Sequence, residues 1–333
     1  MAKFKVVLTD ATYTSYDEER EVIESAGGEL ILEHAETEDQ VIASCSDADG
    51  LLNRAVPITA RVLASLKRCR VITRYGVGVD NVDVAAATKA QIVVCNVPGY
   101  CSDEVAEHAA ALLLACARRV VQLDKTTRQG KWDTATEYPI HRLQGSSVGL
   151  IGFGSNGQAL ARKMAGFEFR ILTYDPYVKK AEGAELVSLD TLLRTSDFVS
   201  IHAPLTEETH HIIGMSELKK MKPTSILVNT SRGSLVDEVA LTRALKQGWI
   251  AAAGLDVYET EPPDVSQELF SLPNVVLTDH AAWYSEESVG ELKRRAAEQV
   301  VLVLTGKRPT SAVNPEVLKT SDGRRRTSEE ERR

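Results

Sequence analysis

The sequence predicts an α/β protein built from two doubly wound parallel sheets, and three observations carry that expectation. Its 333 residues exceed what one core usually organises. Short β-rich runs alternate with helical patterns twice, first up to about residue 96 and again from Ser147 to about Leu277. The second series opens on Val148-Gly149-Leu150-Ile151-Gly152-Phe153-Gly154-Ser155-Asn156-Gly157, a glycine turn between a strand pattern and a helix pattern.

Strands are expected in the first series at Phe4 to Leu8, Leu30 to Leu32, Gly50 to Leu52, Val71 to Arg74 and Ile92 to Cys95, with helices such as Tyr16 to Ala26 and Thr59 to Arg68 between them. A single helix is expected from Ser102 to about Leu123, because Ala109 to Ala117 is apolar nearly all round and must be buried. Six further strands are expected at Val148 to Ile151, Arg170 to Tyr174, Phe198 to Ile201, Ser225 to Asn229, Ala251 to Leu255 and Val275 to Leu277, enough for a complete Rossmann sheet. The last helix, Glu286 to Thr305, follows the end of that sheet and is expected to return to the first domain. The domains are therefore expected to be 1–99 with 286–318, discontinuous, and 100–285. Residues 319–333 carry no apolar side chain and many charges, so they are expected to be disordered.

Composition narrows the function classes. Hydrophobic residues make up 43% and charged residues 26%, and no apolar run approaches the roughly 18 residues of a membrane-spanning helix. The chain begins with a strand pattern ending at Asp10 rather than a long apolar core and cleavage site, so a soluble, cytoplasmic protein is expected. A net charge of -8 gives no attraction to nucleic acid. Five cysteines, Cys45, Cys69, Cys95, Cys101 and Cys116, include no Cys-x-x-Cys pair, so reduced thiols and no metal site are expected.

Gly152, Gly154 and Gly157 have the spacing of a dinucleotide cradle: the first permits a tight turn, the second lets backbone approach a pyrophosphate, and the third lets helix and strand pack closely. Backbone N–H groups near Ser155 and Asn156 would hold the diphosphate at the helix N-terminus. Asp175, 18 positions after Gly157, would accept hydrogen bonds from ribose hydroxyls and repel a 2′-phosphate, which favours NAD over NADP. Lys179 and Lys180 follow closely and leave the phosphorylated cofactor open. Taken singly, these residues are also ordinary turn residues.

Reduction of a 2-keto acid needs a cation on the carboxylate, a proton donor, and a group that orients the donor. Arg232 offers a planar fork for a carboxylate, His280 an imidazole that titrates near neutral pH, and Glu261 a carboxylate to hold an imidazole in place. All three are expected where the chain leaves the carboxyl ends of strands, the edge at which such sheets bind ligands. Alone, an Arg before Gly is usually a loop residue and a His after a strand usually structural. Their occurrence together beside a dinucleotide fingerprint favours chemistry.

From about Leu51 to Thr305 the chain resembles the D-isomer-specific 2-hydroxyacid dehydrogenase family, on Arg74-Tyr75-Gly76-Val77-Gly78-Val79-Asp80-Asn81-Val82-Asp83, the glycine fingerprint, His202-Ala203-Pro204-Leu205-Thr206, Asn229-Thr230-Ser231-Arg232-Gly233, Asp256 to Pro263 and His280. The resemblance implies a flavodoxin-like substrate domain and a Rossmann NAD-binding domain, a small 2-keto or 2-hydroxy acid substrate, and a homodimer built around the helix that begins near Ser102. It implies that Arg232, Glu261 and His280 are the catalytic Arg, Glu and His, with Glu261, which precedes proline, preferred over Glu259. It implies substrate contacts from Gly76, Val77 and Gly78 and cofactor contacts from His202, Pro204, Thr209, Thr230, Ser231, Arg232, Asp256 and His280.

Within that family, His280-Ala281-Ala282-Trp283-Tyr284-Ser285-Glu286 most resembles the C-terminal-binding-protein branch, dehydrogenase-like corepressors that sense NAD(H). Trp283 either faces the site, favouring an apolar or thioether substrate side chain, or packs in the core. Asp279 stands where the family usually has proline. Two alternatives follow: a D-3-phosphoglycerate dehydrogenase, with Arg54 and Arg74 as candidate phosphate ligands, and an NAD(H)-gated interaction protein.

Overall fold

A computed structural model describes residues 2–132 and 139–319. The chain divides into two compact units, Met1–Tyr100 with Ser285–Arg333, and Cys101–Tyr284.

The first unit alternates strand and helix: β1 (Lys5–Leu8), α1 (Asp17–Ser25), β2 (Glu29–Leu32), α2 (Glu38–Cys45), β3 (Gly50–Asn53), α3 (Ala60–Ser65), β4 (Val71–Arg74), α4 (Val84–Lys89) and β5 (Val93–Cys95). Its strands are all parallel in the order β2-β1-β3-β4-β5, the flavodoxin-like order. Helix starts are set by side chains: Thr37 and Gln40 form a capping box on α2, and Asp83 accepts the N–H of Ala86 on α4. Val7, Leu51, Ile72 and Val94 from four neighbouring strands join one buried cluster with Val41, Val62 and Ala87 from the covering helices.

The second unit holds α5 (Ser102–Arg118), α6 (Val120–Arg128), β6 (Ser147–Ile151), α7 (Ser155–Met164), β7 (Arg170–Tyr174), β8 (Glu185–Leu186), α8 (Leu189–Thr195), β9 (Phe198–Ile201), α9 (Met215–Leu218), β10 (Ile226–Asn229), α10 (Glu238–Lys246), β11 (Ala252–Leu255) and β12 (Val275–Leu277). The sheet is parallel throughout, ordered β12-β11-β10-β9-β6-β7-β8. The order reverses at β6, between β9 and β7, so the glycine turn after β6 sits at the topological switch point where such sheets bind ligands.

Two expectations are corrected here. The helix expected from Ser102 to Leu123 is two helices, because Arg119 adopts a left-handed backbone, φ 56°, that breaks the hydrogen-bond ladder. The apolar face of α5 lies on the sheet, so close that a Cβ on Gly254 of β11 would stand 2.9 Å from Cβ of Leu112. In contrast α6 buries no residue and exposes Val120 and Val121. The sheet also has a seventh strand, β8, whose two exposed residues show no apolar alternation.

The final helix, α11 (Glu286–Leu304), belongs to the first unit. It packs against α1, β3 and β4, burying Leu292, Ala296, Ala297 and Val300. All five cysteines are buried thiols, and burial pushes Cys69, Cys95 and Cys116 up to about 12. Among the described residues no helix is long and apolar enough to cross a membrane, and no group of three or more His, Cys, Asp or Glu could hold a metal. The segment expected to be disordered lies, apart from Lys319, outside the described residues.

Candidate active site

The glycine turn separates into two kinds of position. A Cβ on Gly152, φ 94°, would stand 2.8 Å from the backbone of His202 and Ala203, and one on Gly157 would meet the carbonyl oxygen of Gly152. These two glycines are required by the protein's own backbone. A Cβ on Gly154 would meet nothing within 4 Å, so the middle glycine faces open space at the start of α7. No side chain caps that helix N-terminus, which leaves the N–H groups near Ser155 and Asn156 to an anion. Asp175, at the end of β7, accepts the N–H of Phe153 at 2.9 Å and that of Tyr177 at 2.9 Å. Its carboxylate therefore braces the glycine turn from the neighbouring strand, with lone pairs left for a further donor.

Two more strand ends carry unsatisfied groups. His202, after β9, has Nε2 2.9 Å from Ser200 Oγ, while its Nδ1 is buried without a partner among the described residues. Burial pushes its imidazole down to about 4, so it is neutral at physiological pH. Thr209 Oγ1 donates to Pro204 O at 2.7 Å and accepts the N–H of Thr206 at 2.7 Å, which shapes the loop. After β10, Thr230 Oγ1 is likewise buried and unpartnered, whereas Ser231 Oγ donates to Ile201 O at 2.8 Å. Buried polar atoms normally have partners, so His202 Nδ1 and Thr230 Oγ1 together with the open face of Gly154 fit a polar dinucleotide at this edge.

The Arg232 turn is locked by Asn229, whose side chain accepts the N–H of Ser231 at 3.1 Å and donates to Arg232 O at 2.8 Å. Gly233 follows with its Cα against the backbone of Tyr258 and Glu259, where any Cβ would collide. That contact draws the Arg232 turn against the segment after β11 that carries Glu261.

Asp256 organises the other side. Its carboxylate has no exposed surface and accepts Thr278 Oγ1 at 2.6 Å and the N–H groups of Ala281 and Ala282 at 2.9 Å, while its carbonyl accepts the N–H of His280 at 2.7 Å. His108 of α5 stands 3.4 Å from the same carboxylate and 2.9 Å from Thr278. Burial alone would raise the acid; hydrogen bonds from His108, Thr278, Ala282 and Ala281 outweigh it and pull Asp256 down to about 2. So held, His280 adopts a left-handed backbone, φ 57°, and its Nδ1 meets Glu261 Oε2 at 2.6 Å. The other Glu261 oxygen accepts the N–H of Tyr258 at 3.1 Å. Burial pushes the Glu261 carboxyl up, but the His280 bond and charge, the Tyr258 N–H and the Arg232 guanidinium together hold it below the usual glutamate range.

The remaining candidates divide between the units. Trp283 is half-buried against Tyr284, ring centroids 5.7 Å apart, and Asp279 points to solvent. In the first unit Arg54 and Arg74 leave adjacent strand ends, Arg74 being the register partner of Asn53. The Arg54 guanidinium lies 5.8 Å from the Tyr13 ring. Asp10 fixes this loop by accepting the N–H groups of Arg54 at 2.9 Å, Ala55 at 2.5 Å and Val56 at 3.0 Å. Gly76, φ 134°, sits against the Arg74 guanidinium; its carbonyl accepts the N–H of Val97 at 2.8 Å and that of Val77 accepts Asn96 Nδ2 at 2.7 Å. Val77 is exposed, and Gly78 is half-buried beside it.

Sequence reasoning missed Asp10, His108 and Gly233. His108 stands just before the apolar run of α5, next to Glu107, and carried no signal of its own, whereas an acid just after β1 was the signal for Asp10.

The chain matches a family model, the D-isomer specific 2-hydroxyacid dehydrogenase NAD binding domain, over residues 110–282. It is similar to a glyoxylate reductase of Korarchaeum cryptofilum, 46% identical over 288 residues, covering 84% of this chain and 86% of that protein. It is also similar to a D-3-phosphoglycerate dehydrogenase of Archaeoglobus fulgidus, 42% identical over 80% of this chain and 51% of that protein. The crystal structure of a glyoxylate reductase from Paecilomyes thermophila superposes with a TM-score of 0.87 at 29% identity, covering 95% of this chain and 100% of that one. A parallel sheet with a dinucleotide turn at its switch point, in a chain with these relatives, is that of an NAD-dependent oxidoreductase interconverting 2-keto and 2-hydroxy acids, and the chain belongs to the D-isomer specific 2-hydroxyacid dehydrogenase family.

Proposed function

We propose that the protein reduces short 2-keto acids of the glyoxylate class to the corresponding 2-hydroxy acids, of D configuration where the product is chiral, with Arg232, Glu261 and His280 as its catalytic residues. The observation that carries this reading is the 2.6 Å contact between His280 and Glu261 at the sheet edge that holds the glycine turn. Its substrate class is supported by the glyoxylate reductase relatives. In this reading Gly152, Gly154, Ser155, Asn156 and Gly157 hold the cofactor diphosphate, Asp175 the ribose, and His202, Pro204, Thr209, Thr230, Ser231 and Asp256 line or support the rest of its site. When bound, the nicotinamide supplies or takes up the hydride.

The chain's own groups do the remaining work. Arg232 binds the substrate carboxylate as a charge-assisted pair. Glu261 accepts the hydrogen bond of the Nδ1–H of His280, which fixes the tautomer and leaves Nε2 to give a proton to the carbonyl oxygen in reduction or remove one in oxidation. Residues 1–99 with 286–318 serve as the substrate domain, contributing Arg54 and the Gly76 to Gly78 loop, and residues 100–285 as the NAD domain. Trp283 bounds the substrate side chain. We further propose a cytoplasmic homodimer, assembled around α5 and α6.

A second reading has one specific observation in its favour: Arg54 and Arg74 leave adjacent strand ends, and a phosphoglycerate dehydrogenase is among the relatives. The relatives reported above are enzymes by name, so the corepressor-like reading of His280 to Glu286 gains no support from them. The deciding experiment follows NADH consumption with glyoxylate, pyruvate, hydroxypyruvate, phenylpyruvate, a thioether keto acid and 3-phosphohydroxypyruvate. Fastest turnover of glyoxylate or hydroxypyruvate supports the proposal. Selective turnover of the phosphorylated acid, lost in Arg54→Leu, would replace it with the second reading. Tight NADH binding with no turnover of any acid would overturn both.

A further inference from the structure

The Arg232 turn and the Glu261 segment follow different strands and must be held in register for their side chains to act on one substrate. Gly233 lets them touch, but a steric contact does not fix direction. One set of directional links comes from the segment that precedes α9. His211 N–H donates to Ser234 O at 2.8 Å, and Ile213 N–H to Leu235 O at 3.1 Å, which ties this segment to the residues just after Arg232. The imidazole of His211 then crosses to the other loop, with Nε2 3.0 Å from Glu259 Oε1.

Glu259 is also tied to α10. Its Oε1 also takes the N–H of Glu238 at 3.1 Å, at the first turn of α10, and its own N–H donates to Glu238 Oε1 at 2.7 Å. It stands two residues before Glu261, and the intervening geometry is closed by the Tyr258 N–H on Glu261 Oε1. His211 itself has a left-handed backbone, φ 52°, and its ring lies tilted against His210 with centroids 4.0 Å apart. A left-handed backbone is uncommon for any residue but glycine, so the imidazole sits there at a conformational cost.

We infer that His211 is a positioning residue for the reaction: its main chain fastens the Arg232 turn, its imidazole fastens the Glu261 segment, and together with the reciprocal Glu238–Glu259 bonds it sets the spacing between the guanidinium and the His280–Glu261 pair. The inference rests on the roles proposed above for Arg232, Glu261 and His280. It adds a residue that touches neither substrate nor cofactor. Because catalysis depends on near-attack geometry, a displacement of about 1 Å between these loops costs up to roughly a hundredfold in rate.

Two substitutions separate position from fold. His211→Asn suits the left-handed backbone but its amide ends short of Glu259, whereas His211→Gln reaches about as far as the imidazole Nε2. His211→Asn should lower kcat about tenfold and leave NADH affinity within about twofold, and His211→Gln should restore most of the loss. Glu259→Ala removes the acceptor instead of the donor; it should show a similar loss, and joining it to His211→Asn should add less than about twofold. In a Glu261→Gln background His211→Asn should also add little, because the group it positions is already gone. Wild-type kcat in His211→Asn and in Glu259→Ala, no rescue by glutamine, or full additivity with Glu261→Gln would each overturn the inference. Failure of the underlying reading looks different: Glu261→Gln itself would turn over at the wild-type rate.

Discussion

Oε2 of Glu261 lies 2.6 Å from Nδ1 of His280, a separation that joins the segment after β11 to the turn after β12 through one charge-assisted hydrogen bond. The two residues are 19 positions apart in sequence, and neither strand end brings them together without the other.

Removing His280, the proposed proton donor, should abolish chemistry and spare the cofactor. His280→Ala is expected to lower kcat by about 100- to 10,000-fold, the usual worth of a positioned acid–base group. NADH affinity, followed by fluorescence titration, should change by less than about twofold, since the dinucleotide cradle lies on another turn.

With Glu261 in its proposed role, the acid side of the pH–rate profile should read this carboxyl group. Its folded pKa is depressed below 4.5, so the carboxylate persists as the pH falls through the ordinary glutamate range and is lost only beneath it. Activity should therefore begin its acid decline below 4.5 on this account, and Glu261→Gln should slow turnover across the whole range while removing that decline. A decline that persists unchanged in Glu261→Gln would assign it to another group.

Asp256 should matter for stability more than for chemistry. Its folded value of about 2 against an ordinary 3.8 means that its contribution is fully present above 3.8 and lost as the pH falls toward 2. The shift corresponds to about 2 kcal/mol. Asp256→Asn should lower unfolding free energy by about that amount at neutral pH, and the difference from wild type should shrink in acid. Urea unfolding at several pH values checks both statements.

The glycines of the cofactor turn should respond in opposite ways. Gly157→Ala drives a methyl into the Gly152 carbonyl and should destabilise the fold by about 1–3 kcal/mol. Gly154→Ala points into open space, so its melting temperature should stay near wild type while NADH affinity falls about tenfold. Thermal melts paired with NADH titration distinguish the two.

Much of the molecule was legible because local rules and the final environment agree. Strand runs such as Val93–Cys95 and Ala252–Leu255 are apolar and short, as strands buried on both faces must be. The break at Arg119 was not legible: arginine is itself a good helix former, and nothing local demands a left-handed one. Nor was β8, whose two exposed residues pair with β7 only because that strand offers a free edge. The roles of Asp10, Asn229 and Asp256 were hidden for a related reason, since a carboxylate or amide that accepts backbone N–H groups from a distant loop leaves no periodic trace.

The sequence by itself determined the α/β class, the two parallel sheets, the glycine turn and the identity of Arg232, Glu261 and His280 as candidates, because periodicity, turn chemistry and motif spacing are local properties of the chain. Only the tertiary structure decided which atoms meet. It seats Gly233 on the Tyr258 backbone, makes the buried Asp256 the anchor of the His280 turn, assigns Glu261 to the imidazole and Glu259 to His211, and leaves Gly154 facing open space. Those pairings join residues on separate strand ends, where distance is set by sheet order and packing rather than by separation along the chain.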